Sequence, residues 1–267
     1  MSTQTTSTKG AALITGAAQG IGKAIALRLA ADGFNVAVND LSSNSENLEK
    51  VAEEIRAVGV KALTVYADVS VEAEVEKMVG AVVEEFGALN VVVANAGIMM
   101  WKSIDDLTAE EWDRVMSINL RSVFLAYKYG GRAMIAKGIK GKLIAACSVA
   151  GKIGKGMLAS YTASKFAIRG LTQSAAQEYG RHGITVNGYA PGVIETPMLT
   201  YMDARFGETV PGGKTGDFIK FAEAQSLLGG GNGEVADIAG LVSYLASTEA
   251  KFITGQTINV NGGTFFD

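Results

Sequence analysis

The stretch ALITGAAQGIGKAIALRLAADG, residues 12–33, begins as an unbroken apolar run of strand length. It ends with apolar residues at helical spacing, and glycines fill the join. Gly16 permits a tight turn, Gly20 lets backbone approach a ligand, and Gly22 lets the helix pack closely on the strand. The N–H groups at the helix start, around Gln19, Gly20, Ile21 and Gly22, then face an anion such as phosphate. A glycine triplet alone means little in a chain with 33 glycines; its place at a strand–helix junction gives it weight.

The same rhythm continues outward. NVAVN (35–39), ALTVYA (62–67), NVVVANA (90–96), KLIAAC (142–147) and ITVNGYA (184–190) read as further strands. They are nearly continuous apolar runs, as expected where helices cover both faces of a parallel sheet. NLEKVAEEIRAVG, EAEVEKMVGAVVEEFG and EEWDRVMSINLRSVFLAYKYGGRAMI carry the i, i+3, i+4 spacing of helices, and several such segments end at glycine. This alternation predicts an α/β fold, a single-domain Rossmann-type doubly wound parallel sheet with helices on both faces, over residues 10–267. Residues 1–9 are polar and read as a disordered N-terminal tail. From 197 to 232 glycines thicken and the rhythm pauses, which marks a candidate substrate lid.

Composition narrows the function. The chain has 267 residues, 48% hydrophobic and 19% charged, with a net charge of −3. Without a basic run, nucleic acid and anionic membrane are not expected partners, and no apolar run is long enough to span a bilayer. One cysteine, Cys147, and one histidine, His182, leave too few ligands for a zinc centre, so no metal is expected. His182 follows a helix, where a cation suits the C-terminal end. A reducing, cytoplasmic setting fits this cysteine usage.

Asp40 closes the second strand eighteen residues after Gly22, where an acid would hold the adenosine ribose of a dinucleotide. Its carboxylate would accept from both ribose hydroxyls and repel a 2′-phosphate, and neither Ala18 nor Leu41 offers an offsetting cation. NAD(H) is therefore expected over NADP(H). ANAG (94–97) ends the fourth strand with small residues, including Asn95, Ala96 and Gly97. Ser148 ends the fifth strand, while Tyr161 and Lys165 stand one turn apart on the next helix. All belong to the carboxyl ends of strands, where a doubly wound sheet opens its ligand crevice.

Taken in order, TGAAQGIG, the acidic end of strand two, Asp68 in ADVS, ANAG, Asn119 in SINLRSVF, Ser148, the YTASK pair and PGVIET resemble the short-chain dehydrogenase/reductase family. The thirteen-residue interval from Ser148 to Tyr161 is typical of that family. The resemblance implies hydride transfer between a nicotinamide and a small-molecule carbonyl or alcohol, with Tyr161 moving the proton. Lys165 would lower the phenol's pKa and bind the nicotinamide ribose; Ser148 would hold the carbonyl oxygen, and Asn119 would anchor a water on the proton path. It also implies that Asp68 and Val69 border the adenine, and that Pro191, Gly192, Val193, Ile194 and Thr196 hold the carboxamide end. A homotetramer is implied too, packed through helices 112–137 and 159–180.

Within the family, the stretches ACSVAG, SKFAIRGLTQSAA and GITVNGYAPGVIETPM look closest to acetoin(diacetyl) reductases, also called meso-2,3-butanediol dehydrogenases. Val149 departs from that pattern, where a glutamine is usual, and Lys155–Gly156–Met157 replaces an Asn-Pro-Glu-like run. Ile98, Met99, Met100, Trp101, Met157, Met198 and Met202 are candidate pocket walls, which suit an apolar ligand better than a sugar.

Overall fold

All six runs read as strands form strands, and a seventh joins them. The computed structural model describes residues 8–229 and 231–267, so most of the expected tail, residues 1–7, lies outside the described residues. The strands are β1 (Ala11–Thr15), β2 (Asn35–Asp40), β3 (Ala62–Tyr66), β4 (Val91–Ala94), β5 (Lys142–Ala146), β6 (Thr185–Pro191) and β7 (Thr257–Val260). They form one parallel sheet in the order β3-β2-β1-β4-β5-β6-β7. The order reverses between β1 and β4, and that is where a sheet of this kind opens at its carboxyl edge.

Successive residues of a strand face opposite sides of the sheet, and here each side meets a buried layer. Ile14 packs with Ile25, Leu29, Leu48, Ile238 and Val242 beneath α1 (Gly20–Ala31), α2 (Ser45–Ala57) and α9 (Val235–Ala246). Its neighbour Leu13 joins Val75, Met78, Tyr127 and Ile168 beneath α3 (Glu72–Phe86), α5 (Ser122–Ala136) and α6 (Ala159–Tyr179). Two dry faces explain why the strands read as unbroken apolar runs.

Three features differ from the expected pattern. The long helix expected across EEWDRVMSINLRSVFLAYKYGGRAMI divides into α4 (Ala109–Met116) and α5, joined by a π turn over Ser117–Arg121. The paused stretch after residue 197 contains two helices, α7 (Pro197–Thr209) and α8 (Asp217–Gln225). β7 is only TINV, half-buried throughout, and is too short to show a period. It is set in place from β6: the Asn187 amide donates to the Ile253 carbonyl at 2.8 Å and accepts from Gln256 N at 3.1 Å. Among the described residues, no helix is long and apolar enough to cross a membrane.

Asn187 is 1% exposed, so Asn187→Leu keeps its bulk and strips two backbone groups of their partners. Urea titration should show unfolding free energy lowered by roughly 1–3 kcal/mol. A change below about 0.5 kcal/mol would mean that the amide does not hold β7.

Candidate active site

The carboxyl ends of the strands on both sides of the switch point open on one cavity of about 860 Å³. The glycine turn forms its floor. Gly16 has φ +64°, and a Cβ there would stand 2.9 Å from the Ala96 Cα. A Cβ on Gly22 would stand 2.1 Å from the Gly16 carbonyl oxygen, so neither position admits a side chain without movement. Asn95 holds this turn from β4. Its Nδ2 donates to the carbonyls of Thr15 and Gly16 at 2.9 and 3.1 Å, and its Oδ1 accepts from the Tyr189 hydroxyl at 2.9 Å. The Asn95 amide, read from sequence as a cofactor contact, is thus engaged in holding β1 and β6, although the residue also lines the cavity with Ala96 and Gly97. No side chain caps the start of α1 and no acid stands in its first turn, so that helix terminus can receive an anion.

At one end of the cavity stands Asp40. Its Oδ2 accepts from Ala18 N at 3.1 Å; its Oδ1 accepts from Leu41 N at 2.9 Å and Asn44 Nδ2 at 2.7 Å. These partners are all neutral, and no cation is among them. Asn44 was not foreseen; it is an unpatterned polar residue whose role depends on the turn after β2. Asp68 is held by Ser70, whose N and Oγ both donate to Oδ1, and it borders the same end with Val69. Gln19, Gly20, Ile21, Pro191, Gly192, Val193, Ile194 and Thr196 also line the cavity. A shaped glycine cradle, an uncapped helix start and an acid at the strand end together fit a dinucleotide.

The other end brings together Ser148, Tyr161 and Lys165. Tyr161 and Lys165 are one turn apart on α6, with Lys165 Nζ 5.4 Å from the centre of the Tyr161 ring. Both are buried, 7% and 4% exposed. Burial pushes the Tyr161 phenol up to about 12, against a hydrogen bond to Ser148 that pulls it down. Burial also brings the Lys165 ammonium down to about 8. The expected pull of Lys165 does not set the phenol's pKa in this structure: desolvation penalises both charged forms, and the amine donates instead to the Ala146 carbonyl at 2.7 Å.

Asn119 does not line the cavity. It is fully buried in the π turn, where its Oδ1 accepts from Ile98 N at 2.8 Å. Its Nδ2 donates to Ile98 O at 2.9 Å and Ser164 Oγ at 3.1 Å. The side-chain amide is thus fully used in fixing the segment after ANAG, and the extra residue of the π turn is what swings it inward. A Cβ on Gly97 would lie 3.3 Å from Asn119 Oδ1 and 3.6 Å from Lys165 Nζ, so all three meet there.

Opposite Ser148 the walls are apolar. Trp101 meets Phe206 and Phe218 edge-on, with ring centres 6.2 and 6.0 Å away, and its Nε1 donates to Thr209 Oγ1 at 2.9 Å. Met99, Trp101, Val149, Met198, Met202, Phe218 and Phe221 line the cavity. Met157 and Met100 do not, which corrects the reading of Met157 as a wall. Met157 has a left-handed backbone, φ +63°, its carbonyl accepts from Lys102 N at 2.8 Å, and its side chain packs against the Trp101 cluster. Phe218 and Phe221 were missed, although the spacing of Phe218, Phe221 and Ala222 in DFIKFAEAQ is that of a helix face.

Residues 10–205 match the family model of the short chain dehydrogenases. A short-chain dehydrogenase/reductase of Armillaria gallica is 52% identical over 259 residues, covering 96% of either chain. The L-2,3-butanediol dehydrogenase of Corynebacterium glutamicum is 40% identical over 96% of this chain and 98% of its own. A 3-oxoacyl-(acyl-carrier-protein) reductase of Staphylococcus aureus is also 40% identical, over 95% and 97%. The crystal structure of levodione reductase superposes with a TM-score of 0.87 at 36% identity, covering 96% of this chain and 97% of that one.

The lowered Lys165 value has a measurable consequence for the cofactor-free protein. Below about pH 8 Lys165 is charged in both folded and unfolded states, and burial of the charge costs the folded state about 3 kcal/mol. Between about 8 and 10.5 the unfolded chain holds the proton more tightly, so Lys165 makes stability rise with pH. Lys165→Met should remove that rise. Urea titrations of both proteins at pH 7 and pH 9.5 test this, and parallel changes with pH would sink the assignment.

Proposed function

The chain belongs to the short-chain dehydrogenase/reductase family, and we propose that it moves a hydride between NAD(H) and a ketone or the matching secondary alcohol. A bound nicotinamide would supply or accept the hydride. The carrying observation is that Ser148, Tyr161 and Lys165 converge at one end of a cavity whose other end holds Asp40, with the glycine turn between. The uncapped start of α1 would hold the pyrophosphate, Asp40 the adenosine ribose, and the Pro191–Thr196 segment the carboxamide. Ser148 would donate to the substrate carbonyl oxygen. Tyr161 would give its proton to that oxygen as the carbinol forms, and Lys165 would orient the ribose and ease return of the proton. A phenol pushed up to about 12 holds its proton at neutral pH, which suits reduction. Alcohol oxidation needs the phenolate and so gains as pH rises. A dinucleotide-binding redox sensor would have no use for these three side chains together.

NAD(H) is favoured over NADP(H) because the Asp40 carboxylate faces the cavity with only neutral partners. For the substrate, diacetyl, acetoin or 2,3-butanediol is the reading drawn from the sequence pattern, and the likeness to a butanediol dehydrogenase supports it. A second reading, a bulkier or cyclic ketone, is favoured by the aromatic wall of Trp101 and Phe218, which offers no second polar partner. α7 and α8 would form the lid over either. A homotetramer is supported by the exposed Phe124 and Phe166 on α5 and α6, and a reducing, cytoplasmic setting suits the free Cys147 thiol.

NADH oxidation with diacetyl and with cyclic ketones, repeated with NADPH, tests the proposal. NADH should lead by at least tenfold in kcat/KM, about 1.4 kcal/mol; equal rates would overturn the reading of Asp40. Tyr161→Phe should cut kcat by roughly 10²–10⁴ while NADH still quenches protein fluorescence with nearly unchanged affinity. Retained turnover would remove Tyr161 from the proton step. Light scattering should report four chains, and a monomer would refute the assembly.

A further inference from the structure

Lys152 lies four residues beyond Ser148 and carries an enclosed cation, its side chain only 2% exposed. Its Nζ donates to the Thr257 carbonyl at 2.6 Å and to both carboxylate oxygens of Asp267, at 2.9 and 2.8 Å. The same carboxylate pairs with Arg169 Nη2 at 3.3 Å and accepts from Asn259 Nδ2 at 3.0 Å. Arg169 stands one turn past Lys165 on α6, as Lys165 stands one turn past Tyr161. One carboxylate therefore joins β7, α6 and the turn that begins at Ser148.

The bonds within that turn are local. Ala150 N donates to Ser148 Oγ, Gly151 N to Ser148 O, and Lys152 and Ile153 N to Val149 O. Such bonds set the shape of the turn. Packing brings it against α6, where a Cβ on Gly151 would stand 2.7 Å from the Lys165 carbonyl oxygen. The Lys152 amine adds a polar tie, and a buried ammonium keeps its place only while it is paired. Lys152 and Arg169 hold the Asp267 carboxyl below the usual carboxylate range, so it stays ionised across neutral pH.

We infer that Asp267 is a positioning residue: it fixes the turn carrying Ser148 against the helix carrying Tyr161 and Lys165, without itself touching the cavity. This rests on the proposed ketone chemistry, so the test has one arm that needs no substrate. In that arm, amide hydrogen exchange is followed on the full chain. Asp267→Asn should speed exchange at residues 148–153 by at least about tenfold, with the 15–22 turn unchanged, because the loss is local. Exchange within about twofold of the original protein would overturn the inference.

In the second arm, kcat with NADH and diacetyl should fall by about tenfold or more, with KM for NADH held and Asp267→Glu recovering much of the loss. The double variant Lys152→Met/Asp267→Asn removes the buried charge together with its partner, so its thermal midpoint should return while kcat stays low. Recovery of kcat along with stability would assign Asp267 a purely structural role and refute the inference. If the unaltered protein turns over no ketone, the proposed chemistry fails on its own, and the exchange arm still decides the clamp.

Discussion

The amide of Asn95 ties three strands together at the point where the sheet changes direction. It donates to β1 at Thr15 and Gly16 and receives the Tyr189 hydroxyl from β6, while its own N–H bonds the Thr15 hydroxyl at 3.0 Å. Every donor and acceptor of that side chain is engaged in a setting where an unpaired group would be costly. The glycines follow from this. A Cβ on Gly22 would stand 2.6 Å from Asn95 Nδ2, so the helix reaches its place only because that residue has no side chain. The uncapped start of α1 is thus set in place by close packing.

This accounts for what could be read from the residues alone. Leu13 and Ile14 each face a buried layer, so β1 is apolar from Ala11 to Ile14, and β4 is apolar throughout. Strands of that kind are visible without any neighbour. β7 is not, because its four residues are half-buried and its placement comes from the Asn187 amide rather than from its own pattern. The site was legible where chemistry dictates residue type: a phenol, an amine and a hydroxyl at fixed spacing. It was opaque where backbone shape dictates the outcome. Nothing in SINLRSVF announces a π turn, and Met157, which looks like a wall, is turned out of the cavity by its left-handed backbone.

Burial governs the electrostatics of the Tyr161–Lys165 pair. Raising the phenol and lowering the ammonium are the same effect acting on opposite charges. With the phenol near 12 and the amine near 8, the cofactor-free protein at neutral pH holds a protonated Tyr161 beside a cationic Lys165. The hydrogen bond to Ser148 works against the burial.

The aromatic wall of the cavity is built on a different principle. Asp203 of α7 is 2% exposed, yet its carboxylate accepts from the N–H groups of Gly216, Phe218 and Ile219 at 2.6, 3.1 and 3.3 Å. A side chain of one helix thereby satisfies the orphan donors at the start of the next, which have no local cap. Phe206 and Phe218 are carried on the two helices joined in this way, with ring centres 5.7 Å apart. Because one carboxylate welds α7 to α8, the two phenylalanines form one surface against Trp101. Any displacement of that wall must move both helices together or break the bonds to Asp203. The shape of the cavity wall is then held by a polar joint outside it, while Tyr161 and Lys165 stand on α6, beside the sheet.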